Sequence, residues 1–285
     1  MAKRRSFNKN YLQQEFGKLT SKINQPITMF LIGGGAMAFY GLKDATKDID
    51  IILDNQEKLK TLTTALKSLD YKNPDSVVIT RAYNKMRANE ILENADGFRW
   101  DIFVKKVCNA LTFSDAMKTR AHEIWAKRKL KIQIASKEDI FLFKGITERE
   151  ADLDDIRLLA ESGLDWKTIK QECQNQTTLS GILWESALYQ NLLDLKEKYH
   201  IESPIEKPLR DAAEKKLIEI TLTKEIEKGN NTVKSITQKI KEPQSFVRTE
   251  LKRLAKKGLI TVDKSNKPYK FYINKKPHKT DKATN

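Results

Sequence analysis

The chain has 285 residues with 53 Lys and Arg against 38 Asp and Glu, a net charge of +15. That length suits two domains, each able to bury a core without covalent staples. The two cysteines, Cys108 and Cys173, have no metal-ligand spacing and point to a reducing compartment, and the scattered His122, His200 and His278 form no ligand pair, which argues against a zinc site. The start Met1-Ala2-Lys3-Arg4-Arg5-Ser6 is basic with no apolar run behind it, and no segment reaches bilayer length, so the expectation is a cytoplasmic protein with no membrane partner.

After a basic, helical lead-in over residues 1–24, Thr28-Met29-Phe30-Leu31-Ile32 reads as a buried strand, because it is short, apolar and ends in a breaker. Gly33-Gly34-Gly35 then predicts a turn, and Ala36 to Tyr40 the first turn of a helix, together an anion site. Asp48-Ile49-Asp50 follows within an apolar strand. Strand alternation puts both carboxylates on one face, about 7 Å apart at Cα, with Ile49 and Ile51 turned into the core. Phe98 to Val104 predicts a further strand, in which Asp101 interrupts apolar and aromatic neighbours. A buried carboxylate there needs compensation, either from a metal ion or from a salt bridge to a neighbour such as Arg99.

Ser136 with Asp139 predicts a capping box opening a helix. Lys144, Arg149, Asp152 and Asp155 follow. Lys144 and Arg149 lie about 140° apart on a straight helix, so a break near Gly145 or Glu148 to Glu150 is needed to aim both at one spot. The plainer alternative is a solvated face with pairs such as Arg149 to Asp152.

The basic charge is concentrated at the far end. Residues 205–285 hold 21 Lys and Arg against 10 Asp and Glu, a net +11. A proline-punctuated linker is expected over 203–210, then helices over Ala212 to Lys228, Thr232 to Lys241 and Gln244 to Lys257, then strands Leu259 to Val262 and Tyr269 to Ile273 around a polar hairpin loop. The tail 275–285 has the composition of a disordered segment.

In its first part the chain resembles the polymerase-β-like nucleotidyltransferases, with Gly34, Gly35, Asp48, Asp50 and Asp101 in the positions of that superfamily's pattern. Thr46-Lys47-Asp48-Ile49-Asp50 and the Ser136 to Leu159 stretch look closest to its minimal AbiEii/MenT-like branch. One departure is that Asp44 stands where many relatives have an arginine, with Lys43 one step back. The last part resembles a winged helix-turn-helix domain.

These resemblances imply an α+β chain: a nucleotidyltransferase core over 25–130 with a mixed sheet flanked by helices, a helical extension over 131–202, and a winged helix over 211–274. They imply that Asp48, Asp50 and Asp101 hold two Mg²⁺ ions, with Asp101 also able to accept a proton, and that Gly34, Gly35, Thr46, Lys144, Arg149 and Asp152 bind an NTP, Asp152 or Asp155 orienting the arginine. In the winged helix, Gln244, Ser245, Arg248, Thr249 and Lys252 would face nucleic acid, with Lys264, Lys267 and Lys270 on the backbone. The expected activity is transfer of an NMP to an acceptor hydroxyl, with RNA, a tRNA end, as acceptor in a toxin-like or defence role and an antitoxin as a possible protein partner. The alternatives are a DNA-binding regulator with a nucleotide-sensing domain, and a transferase acting on small antibiotic-type molecules.

Overall fold

A computed structural model describes residues 5–74, 88–146 and 150–274. The chain divides into two compact units, Met1–Leu209 and Arg210–Asn285.

The first unit opens with β1 (Phe7–Asn8) and α1 (Lys9–Lys22). Asn8 caps α1 by accepting from the Tyr11 N–H, and Leu12, Phe16 and Leu19 recur on the buried side at helical spacing. Next come β2 (Ile27–Ile32), α2 (Gly33–Phe39), β3 (Ala45–Thr46), β4 (Asp48–Leu53) and α3 (Gln56–Lys67). After them lie β5 (Glu90–Glu93), β6 (Arg99–Val104), the short pair β7 (Lys106–Val107) and β8 (Leu111–Thr112), α4 (Asp115–Arg120), β9 (His122–Lys127) and β10 (Leu130–Ile134). Four helices complete the unit: α5 (Lys137–Ile146), α6 (Glu150–Glu161), α7 (Trp166–Ser180) and α8 (Trp184–Tyr199).

Six strands form one mixed sheet in the order β5-β6-β4-β2-β10-β9. β4 runs parallel to β6 and antiparallel to β2, while β2 and β10 are parallel. The expected α+β architecture, a mixed sheet flanked by helices followed by a helical region, is the one observed. β2 and the inner positions of β4 and β6 are almost wholly apolar, since a central strand covered on both faces has no solvent side. Met29, Leu31, Ile49, Ile51, Trp100 and Ile102 are fully buried, each such side chain worth about 1.5–3 kcal/mol.

The helices α5 to α8 share that core through Ile140, Phe141, Leu159, Ile169, Leu188 and Leu192. An ionic knot pins α4, α5 and α7 together: Arg120 donates to Asp139 at 2.6 Å and to Glu172 at 2.8 Å. Burial pushes the Asp139 carboxyl up despite Arg120. At the start of α5 the Asp139 N–H donates to Ser136 Oγ, whose hydroxyl donates back to the Asp139 carboxylate.

The second unit contains most of α9 (Glu206–Glu227), then α10 (Val233–Ile240), α11 (Gln244–Lys256), β11 (Ile260–Asp263) and β12 (Lys270–Ile273). Its core is a separate cluster that includes Leu222, Ile236, Val247, Leu251, Leu254, Ile260 and Phe271. Thr232 and Ser235 form a reciprocal capping box on α10. The β11–β12 ribbon is tied to the α9–α10 connection by Phe271 N–H donating to Asn231 O at 2.8 Å.

Two local expectations differ from what is observed. The stretch 203–210, expected as linker, turns helical at Glu206, because Pro208 falls in the first turn, where a missing N–H forfeits no intrahelical bond. Helix α2 begins at Gly33 itself rather than after the glycines, so the run forms the helix's first turn. The tail 275–285 lies outside the described residues.

Candidate active site

The site is built on β4 and β6. Their parallel register sets Asp50 beside Asp101 and Asp48 beside Arg99. Residues paired in this way project to the same side of the sheet, so Asp48, Asp50 and Asp101 share a face. Asp48 and Asp50 are half-buried, whereas Asp101 is fully buried between Asp50 and Ile91 of β5. Arg99 donates through Nε to its cross-strand partner Glu93. Among the described residues no three His, Cys, Asp or Glu side chains are drawn together as a ready metal-ligand set.

β2 delivers the glycines to this face. Ile32 pairs with Asp50, and Gly33 follows with a φ of 63°. A Cβ on Gly33 would be strained at that φ and would stand 2.1 Å from Asp50 Oδ2, so the carboxylate would have to give way. On Gly34 a Cβ would stand 2.9 Å from Thr46 Oγ1. Gly35 is buried, its added Cβ meeting Leu31 and Ile49 in the core at 3.1 and 3.6 Å. Of the three glycines it is thus Gly33, and not the Gly34 or Gly35 expected to bind nucleotide, that abuts a candidate carboxylate. Thr46 is buried, and its hydroxyl donates to the Asp48 carbonyl at 2.8 Å, which fixes the entry into β4.

Lysines and carboxylates close the other side. Lys144 on α5 donates to Asp152 at 2.8 Å and to Asp155 at 2.7 Å, both on α6, and Lys43 reaches Asp155 at 2.6 Å. Burial pulls the Lys144 ammonium down, but Asp152 and Asp155 more than reverse this and hold it above its usual range. Burial pushes Asp155 up, and the two lysines reverse that, leaving it below the usual carboxylate range. Lys43 Nζ also stands 3.8 Å from the position of a Gly34 Cβ. A pocket of about 50 Å³ is lined by Gly33, Asp50, Phe103, Cys108, Lys144 and Asp152 among others. The fold therefore brings Lys144 and Asp152 to the same pocket as Asp50. Arg149 lies outside the described residues, and the partners seen for Asp152 and Asp155 are lysines. The tie from Lys43 to Asp155 escapes sequence reading because 112 positions separate them.

This constellation and its sheet occupy the stretch matched by a family model described as nucleotidyltransferase of unknown function (DUF6036), over residues 10–202. The chain belongs to this nucleotidyltransferase family. No curated protein matches the chain. For a member of this nucleotidyltransferase family, nucleotide or nucleic acid is the expected substrate class.

The second unit, from Arg210 on, lies outside the family match, which ends at residue 202. There Gln244, Ser245, Arg248, Thr249 and Lys252 share the exposed face of α11, and Lys264, Lys267 and Lys270 are exposed on and beside the β11–β12 ribbon. No carboxylate among the described residues lies within ion-pair distance of Arg248, Lys252, Lys264, Lys267 or Lys270. The basic residues on the other side of α11 are committed: Arg253 donates to Glu250 at 2.6 Å and Lys257 to Glu219 at 3.0 Å. Among the described residues no helix is long and apolar enough to cross a membrane.

Proposed function

We propose that this nucleotidyltransferase moves a nucleoside monophosphate from an NTP to a hydroxyl of an RNA acceptor, a tRNA end in the toxin-like or defence setting of the AbiEii/MenT-like branch, with release of pyrophosphate. The observation that carries this reading is the pairing of Asp50 with Asp101 across β4 and β6, with Asp48 on the same face and Gly33 abutting Asp50.

An all-oxygen set of carboxylates fits Mg²⁺ by donor type, and a buried Asp101 beside Asp50 gives a cation something to neutralise. Asp48, Asp50 and Asp101 would hold it. Bound there, the metal supplies charge neutralisation at the triphosphate and a lowered pKa at the attacking hydroxyl.

The chain's own groups do the remainder. Lys144 and Lys43 present their ammonium groups to the phosphate oxygens, exchanging Asp152 and Asp155 for the nucleotide's charge, and stabilise the departing pyrophosphate. Gly33 keeps the approach to Asp50 clear. An Asp101 carboxylate oxygen accepts the proton of the acceptor hydroxyl. The second unit, read as a winged helix-turn-helix, holds the polyanionic acceptor through its unpaired cations.

Incubation with labelled NTPs, Mg²⁺ and total RNA, beside an Asp48→Ala/Asp50→Ala double variant, tests the reading. The expected result is label on RNA with the parent and none with the variant. Label transfer that is absent from both, or equal in both, refutes it.

A further inference from the structure

The β11–β12 ribbon has two faces of opposite character. Ile260, Val262, Phe271 and Ile273 turn to the core of the second unit, while Thr261, Asp263, Lys270 and Tyr272 turn outward. Tyr272 is 45% exposed, and Tyr269, just before the strand, is 42% exposed. Strand propensity accounts for an aromatic at 272, opposite Thr261, but not for one at 269, outside the strand. Lys264, Lys267 and Lys270 belong to the same hairpin loop and strand and are all exposed, with Asp263 opposite Lys270 in the register as the one nearby acid among the described residues of the ribbon.

Aromatic rings set among unpaired cations are the chemistry of single-stranded nucleic acid recognition. Each ring offers a stacking plane to a base, and the ammonium groups track the phosphates. A duplex hides its base faces and would use the lysines alone. We infer that the ribbon is a stacking platform for single-stranded RNA, with Tyr269 and Tyr272 as base contacts and Lys264, Lys267 and Lys270 as phosphate contacts. It rests on the RNA-acceptor reading above and names the part of the chain that holds the strand.

The test measures binding of the full chain to a fluorescent oligouridylate of about 12 nucleotides and to duplex DNA of the same length, across a salt series. The parent is expected to bind the single strand more tightly. Tyr269→Leu/Tyr272→Leu should weaken that binding about tenfold or more while leaving its salt slope unchanged, and Tyr269→Phe/Tyr272→Phe should restore it, because the stacking plane is kept. Lys264→Gln/Lys267→Gln/Lys270→Gln should lower the slope by about 2. Ultraviolet cross-linking of the unaltered chain to the same oligonucleotide, mapped by mass spectrometry, reports the contact whether or not a variant folds. Adducts on Tyr269 or Tyr272 support the platform.

Tighter binding of the duplex, equal affinity of the leucine variant and the parent, no binding by the parent, or adducts confined to other residues would each overturn it. The Asp48→Ala/Asp50→Ala chain separates the two ideas. If it binds the single strand like the parent and neither protein labels RNA, the platform stands and the transferase reading falls. If transfer requires Asp48 and Asp50 but the tyrosines are silent in binding, the reverse holds.

Discussion

The two units treat charge in opposite ways. Around the pocket of the first, Lys43, Lys144, Asp152 and Asp155 are drawn together and largely buried, each satisfied by another. On the outward face of the second, Arg248 and Lys252 stand in water with no carboxylate in ion-pair range among the described residues. Burial is the reason. A lone ion away from water costs several kcal/mol, so cations kept beside a pocket come with counter-ions already in place, to be exchanged when a ligand of the same sign arrives. A solvated cation incurs no such cost and can stay unpaired until a polyanion binds.

That contrast can be broken most sharply at Gly33. Gly33→Ala forces a side chain into the Asp50 carboxylate at a φ of 63°, and NMP transfer should fall about 100-fold or more in steady-state assays while the chain stays folded. Transfer at the parental rate would remove Asp50 from the chemistry. Lys144→Met comes next, because it takes an ammonium away from both Asp152 and Asp155. Denaturant unfolding should show the first unit destabilised by about 3–5 kcal/mol, and a loss near zero would mean that the cluster is effectively solvated.

In the second unit the effects should be smaller. Glu219 is held below its ordinary value of 4.5: burial raises it, but Lys216 and Lys257 lower it further. Its contribution is therefore fully present above about pH 4.5 and lost as the pH falls through the lower folded value. Glu219→Gln should cost about 1 kcal/mol at neutral pH and flatten the unit's acid unfolding below pH 4.5, followed by circular dichroism. An unchanged acid limb would show that the pair is screened away. The smallest effect on stability belongs to Arg248→Gln/Lys252→Gln, within about 0.5 kcal/mol by thermal melting, while the salt slope of nucleic acid binding drops by about 1.5. A marked loss of stability would place these cations in the fold instead of at a partner.

Much of the framework was legible from local pattern. β2, β4 and β6 alternate or run apolar between breakers, and α11 repeats Val247, Leu251 and Leu254 at helical spacing before Gly258. The carboxylate positions followed directly, because strand alternation fixes which residues share a face once a strand is recognised. The division of labour among the three glycines was not legible. Nothing in the local sequence distinguishes Gly33 from Gly34 or Gly35; its positive φ and the adjacent Asp50 carboxylate arise only in the fold. The ionic knot of Arg120 with Asp139 and Glu172 was equally hidden, its members coming from three helices.

The sequence by itself determined the strands β2, β4 and β6, the helices and ribbon of the second unit and the candidate carboxylates Asp48, Asp50 and Asp101, because these depend on periods of two and 3.6 residues and on breakers read within a dozen positions, while the α+β class followed from the resemblance those residues carry. Only the tertiary structure decided that Asp50 pairs with Asp101, that Gly33 must lack a side chain, and that Lys43 and Lys144 share Asp155. Those facts depend on which strands become neighbours and which helix closes over them. Packing settles that choice by burying the apolar faces together, and it is made between residues far apart in the chain.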